Sequence, residues 1–136
     1  MAMWTFYNFL EERGVNPIRQ WLDSLPDKAR AKINTRILFL MAQPIWPEQY
    51  VSALTGWPEL VELRVVHANV QYRPLGFYGP ARREFTLVLG AVEKGSLPIR
   101  DLETADANRK LIIATGRSRI CEHQFDKAAD ARRTED

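Results

Sequence analysis

A chain of 136 residues, 46% apolar and 26% charged, has the size and make-up of one globular domain. The formal net charge of +2 is spread evenly along the chain. This excludes a polybasic nucleic-acid-binding run and leaves only charges gathered by folding. One cysteine, Cys121, excludes an internal disulfide and a cysteine-built zinc site. No apolar run approaches the roughly 20 residues of a membrane span, and the N-terminus lacks the pattern of a signal peptide. The expectation is a cytoplasmic protein with no membrane partner.

Trp4–Phe9 is short and aromatic, and reads as a strand. Asn16-Pro17 opens a helix, with asparagine as cap and proline at the first helical position. Ile18, Trp21, Leu22 and Leu25 share one face of it, and Pro26 stops it. A second helix is predicted over residues 27–43, with Ala29, Ile33, Ile37 and Leu40 inward. Lys28, Lys32 and Arg36, four apart, line another face as a stripe that suits either water or an acidic or RNA partner. Residues 43–59 are too apolar for a flexible linker and are expected to pack over a core edge as a connection.

Three strands follow: Leu60–Val66, Val70–Tyr78 and Phe85–Glu93. In the first, Val61, Leu63 and Val65 alternate with Glu62 and Arg64. Pro74 cannot donate to a ladder, so the second lies at an edge or carries a bulge. The third is apolar almost throughout, as a central strand buried on both faces would be. Its Gly90 marks a bulge or a close backbone approach. Asp101 is placed as cap of a last helix running to Thr115, with Gly116 as its stop. Residues 117–136 read as a charged tail anchored only by Ile120, Cys121 and Phe125. Residues 128–136 are expected to be disordered, and His123 to have no structured role.

In the simple register Glu62, Arg64, Arg73 and Lys94 collect on one polar patch. Arginines on rigid strands suit a phosphate, which they meet bidentately; the same charges also suit a solvated open face. His67, in the first meander turn, is a titratable group near the patch or a turn residue in water. Arg82 and Arg83 lie at the tip of the second turn. There is no phosphate loop, no metal-ligand cluster and no sign of an organic cofactor.

The order of elements is strand–helix–helix–three-strand antiparallel meander–helix, an α+β two-layer domain with helices on one sheet face. With Asn16-Pro17-Ile18, Trp21-Leu22, Leu60-Val61-Glu62-Leu63-Arg64, Tyr72-Arg73 and Glu93-Lys94-Gly95, it resembles the RelE/ParE toxin superfamily, and within it the phage-derived HigB-like branch. The likeness covers about residues 4–115 and implies a RelE-like toxin domain over residues 1–116. It implies the toxin of a type II toxin–antitoxin pair, a metal-independent endonuclease cutting mRNA on the ribosome. It implies that Arg64, Arg73 and Lys94 contact the phosphate, with Glu62 holding Arg64 or acting as base. Tyr72 and Tyr78 would stack on bases, and Arg82, Arg83, Lys28, Lys32 and Arg36 would contact RNA. A cognate antitoxin, a helix-turn-helix protein, is the implied partner. The final strand ends in Val92-Glu93-Lys94 where relatives often carry an aromatic residue and a lysine pair. No secure counterpart exists for their C-terminal His or Tyr. A ParE-like gyrase poison without chemistry and an inactive phage-derived binding or structural protein therefore stay open as alternatives.

Overall fold

The computed structural model describes residues 2–125. Its elements are strand β1 (Thr5–Phe9), helices α1 (Pro17–Ser24) and α2 (Asp27–Met41), strands β2 (Val51–Leu54), β3 (Trp57–Leu63), β4 (Val65–His67), β5 (Val70–Tyr78) and β6 (Glu84–Glu93), helix α3 (Ile99–Thr115) and strand β7 (Ile120–Glu122). The fold is mixed α+β, and its strands form a single sheet. The order is β2-β3-β5-β6-β1-β7, with β4 continuing the line of β3 along β5.

Local chemistry sets the helix ends. Asn16 caps α1 by accepting from the Arg19 N–H at 3.0 Å, with Pro17 at the first position. Gly116, at φ +85°, closes α3. The N-cap of α3 is Pro98, three residues before the expected cap Asp101, which lies in the first turn instead.

The sheet is covered on both faces, which corrects the expected two layers. Alternation along the strands shows this. Phe6, Val61, Leu63, Tyr72, Phe85 and Leu87 pack with Ile18 and Leu22 of α1 and Ile33, Ile37 and Leu40 of α2. Phe9, Leu60, Leu75, Phe77, Val88 and Ala91 pack with Ala105 and Ile112 of α3. Both residue sets are apolar because both faces need a helix.

Two further strands replace expected irregular segments. Residues 51–54 are not a simple connection; they form β2, antiparallel to β3. The turn between them, Thr55-Gly56, uses glycine at φ +83°. The supposed tail also joins the sheet, because β7 pairs antiparallel with β1, Tyr7 opposite Glu122 and Phe9 opposite Ile120. The folded unit therefore extends past residue 116. The expected disorder of residues 128–136 lies outside the described residues.

Pro74 acts at a distance from the sheet edge. It sits in β5, a central strand, and breaks the ladder of its neighbour. Glu62 stands opposite Leu75 and Val65 opposite Tyr72, so the count places Leu63 opposite Pro74, which has no N–H to give. There β3 ends and β4 begins. The Arg64 N–H turns instead to the Tyr50 carbonyl, at 2.8 Å. On the other side of β5, Gly90 faces Pro74. A Cβ on Gly90 would lie 1.9 Å from Trp21 Cδ2, so the glycine marks a close approach by α1.

Candidate functional site

The break opposite Pro74 brings charge from three elements together. Arg64 leaves the ladder beside Glu62. Its Nε lies 3.1 Å from Glu62 Oε2. Arg73 Nε lies 3.1 Å from the same oxygen and 3.6 Å from Glu93 Oε1. Glu62 and Arg73 are both buried. Arg73 also donates to the Tyr72 carbonyl at 3.1 Å and to Gln71 Oε1 at 2.5 Å. Its Nε is close to Glu62 but lacks the alignment of a hydrogen bond. The Arg64 side chain remains 45% exposed. Arg73 is thus held inside the protein, and Arg64 is the arginine offered to solvent.

Helix α2 supplies the other wall. The Arg36 guanidinium donates to the Arg64 carbonyl at 2.5 Å and stands 3.7 Å from the centre of the Tyr50 ring. Partial burial lowers its pKa. Lys32 donates to the Val66 carbonyl. Two of the three stripe residues therefore cover the outer edge at and just before β4. A cavity of about 290 Å³ lies between these elements, lined by Lys32, Arg36, Gln49, Tyr50, Arg64, Val66, Gln71 and Arg73. Four of its eight lining residues are cations and none is an anion, so its field favours a negatively charged guest.

Other predicted residues lie elsewhere. Lys94 lines a second cavity with Trp21. Tyr72 is buried, edge-on to Trp21, and its ring is not open to a base. Tyr78 is half exposed but packs among Trp4, Trp46 and Phe85, five positions or roughly 17 Å along β5 from Arg73. Arg82 and Arg83 are exposed in the turn beyond it, Arg83 over Trp4 at 5.9 Å. Lys28 is exposed one turn before Lys32. His67 ends β4, opposite Val70. Sequence reasoning missed Gln49, Tyr50 and Gln71 as lining residues. Only Gln71 left a signal, sharing the strand face of Arg73.

A buried polar cluster was also missed. His123, expected in a loose tail, is 4% exposed. Its Nδ1 is 2.9 Å from Asn8 Oδ1 and its Nε2 is 2.9 Å from Asn34 Oδ1. Asn34 donates to the Phe125 carbonyl at 2.9 Å, and Asn8 to Asn16 Oδ1 at 3.4 Å. Burial, with the charge of Arg19, lowers the imidazole pKa to about 4. A neutral ring donates from one nitrogen only, so it gives a hydrogen bond to one of the two asparagine oxygens. Burial also raises the pKa of the Cys121 thiol. Among the described residues, no group of His, Cys, Asp and Glu side chains could hold a metal ion.

The model of the phage-derived Gp49-like proteins (DUF891) matches residues 20–110, about two thirds of the chain. The chain belongs to the Gp49-like family. That family is RelE/toxin-like in general, and membership is consistent with a toxin of a toxin–antitoxin pair. The match takes in all eight residues lining the cationic cavity. No curated protein and no solved structure matched the chain. Among the described residues of this Gp49-like protein, no helix is long and apolar enough to cross a membrane.

Proposed function

We propose that this Gp49-like protein is a HigB-like toxin that cuts mRNA on the ribosome, with the cationic cavity as its phosphate site. One observation carries this reading: Arg64 and Arg73 meet on one Glu62 oxygen, at the wall of a cavity that Lys32 and Arg36 complete. In the reaction the RNA 2′-oxygen bonds to the adjacent phosphorus and the P–O5′ bond breaks. The 2′-hydroxyl loses its proton to a base, and the departing 5′-oxygen gains one. Arg64 would stabilise the added negative charge. Glu62, fixed between two guanidiniums, would aim Arg64, and Arg73 would hold Glu62 in place. Tyr50 is the lining phenol that can give the leaving oxygen a proton. Among the described residues no carboxylate or imidazole lines the cavity, so the 2′-proton would pass to water or to a ribosomal group. That gap fits a nuclease that works on the ribosome.

The same gap favours a second reading, a toxin that binds its target without chemistry, as a ParE-like gyrase poison does. Induced expression of wild type and Arg64→Ala, with growth and mRNA 5′ ends followed, separates the two. The nuclease reading expects growth arrest with codon-phased cuts, both lost in the variant. Arrest with intact mRNA would replace it by the binding reading. Loss of neither arrest nor cuts in Arg64→Ala would move the site elsewhere. In either reading the partner is an antitoxin, a helix-turn-helix protein whose acidic segment covers the cavity or the exposed part of the α2 stripe. Lys94, Tyr78, Arg82 and Arg83 would extend the RNA path beyond the cavity.

A further inference from the structure

A second cavity, about 510 Å³, is separate from the cationic one. It is lined by Trp21, Gly90, Ala91, Val92, Lys94, Ser96, Pro98 and Asp101. Its floor is a gap in the sheet. Strand β1 pairs with β6 only from Glu84 to Leu87, and among the described residues no strand continues along that edge beside Val88–Glu93. Side by side with Pro74, which has no N–H, Gly90 cannot complete a hydrogen-bonded pair with β5. Alternation then turns the N–H and C=O of Gly90 and Val92 toward the gap. The carbonyl of Val88 shows the same direction, since Asn108 Nδ2 donates to it at 3.0 Å from α3.

The open length is bounded. Asn108 occupies the Val88 carbonyl at one end, and the Lys94 N–H is taken by the Ser96 carbonyl at the other. What remains is two donors and two acceptors on three residues, too little for an added strand of ordinary length. It suits a small planar group with adjacent donor and acceptor atoms. Trp21 walls one side, an aromatic surface of the kind bases pack on. Lys94 stands at the mouth. Ala91, in the middle of the gap, is the residue paired with Arg73 on β5, so the two cavities flank one strand pair. From the gap across β6 and β5 to Arg64 is three strand spacings, roughly 14 Å, a span that two neighbouring nucleotides of an extended strand can bridge.

We infer that the open edge at Gly90–Val92 is a nucleobase subsite, holding the base of a nucleotide next to the phosphate at Arg64; this rests on the RNA-cutting reading above. The Gly90 carbonyl would accept from a base amino or imino group, and the Val92 N–H would donate to a ring nitrogen or carbonyl. The test is an NMR titration of the isotope-labelled full chain with AMP, CMP, GMP and UMP in turn, and ribose 5-phosphate as control. The Gly90 and Val92 amides and the Trp21 indole are followed. At least one nucleotide is expected to shift all three saturably, and ribose 5-phosphate none. Val92→Pro deletes an outward N–H and should weaken that nucleotide about tenfold. If this variant does not fold, the wild-type titration decides alone. Equal shifts with ribose 5-phosphate, or none with any nucleotide, overturn the subsite. Base binding here in a protein that leaves mRNA intact keeps the subsite and removes the nuclease. Cleavage through Arg64 with Gly90 and Val92 unmoved removes the subsite alone.

Discussion

Two polar clusters in this molecule are built on opposite plans. Around His123, Asn8, Asn16 and Asn34 form a neutral network sealed between β1, β7 and the helices α1 and α2. Around Glu62, buried charges run out to an exposed arginine and an open lining of four cations and four neutral residues. The first satisfies itself and ties the C-terminal strand to the core. The second leaves positive charge unanswered at the surface, which is what a binding site needs and a purely structural cluster avoids.

The largest expected effect lies where the second cluster is buried. Glu62→Ala leaves Arg73 inside the protein with only Glu93, at 3.6 Å, as counter-charge. The loss should be about 3 kcal/mol, as for other broken buried pairs, read from urea unfolding. A loss below about 1 kcal/mol would mean that the Glu62–Arg73 contact is not a buried pair in solution.

The next tests the sealed cluster by pH. The His123 pKa falls from 6.5 unfolded to about 4 folded. Between those values the unfolded chain binds the proton and the folded one does not, so stability is full above pH 6.5 and drains away toward pH 4. The shift amounts to about 3 kcal/mol. Unfolding curves at pH 7.5 and pH 4.5 should show this loss in wild type and much less of it in His123→Gln. Equal slopes in both would place the proton uptake elsewhere.

Gly90→Ala comes third. Its Cβ would collide with Trp21, and overpacking of this kind costs about 1–3 kcal/mol. Thermal unfolding together with Trp21→Phe checks it, because the smaller ring should return part of the loss. The smallest stability effect is expected from Arg64→Ala. This exposed member of the pair should change stability by less than about 1 kcal/mol while abolishing growth arrest. A variant as unstable as Glu62→Ala would make Arg64 a structural residue and overturn its proposed role as the exposed phosphate contact.

The legible parts of the fold were those with strong local signals. Asn16-Pro17, the Ile18/Leu22 face, the uninterrupted apolar run of β6 and Gly116 each carry their structural meaning within a few residues. Val51-Ser52-Ala53-Leu54 before Thr55-Gly56 held a hairpin signal, but Pro44, Pro47 and two tryptophans masked it. Strand β7 was hidden because three residues, Ile120–Glu122, carry too little periodicity to outweigh the charge around them. The site was legible in part. Glu62 and Arg73 sit on strands and Arg64 in the one-residue break between β3 and β4, where the sequence's period of two already predicted their common side. Tyr50, Gln49 and the junction with Lys32 and Arg36 depend on how α2 crosses β4, which no local pattern encodes.

The sequence by itself determined β1, the three helices, β5 and β6, the central place of β6, the cysteine and charge chemistry, and the residue types available for a phosphate. Spacing and side-chain chemistry act over a few positions, so they can be read in one dimension. Only the tertiary structure decided that α3 covers the face opposite α1 and α2, that Pro74 breaks the strand next to it, and that His123 is sealed inside. It also set Lys94 and Arg64 against different cavities and left the Gly90–Val92 edge open. These depend on which backbone groups meet across the sheet, and that is fixed by packing both faces at once.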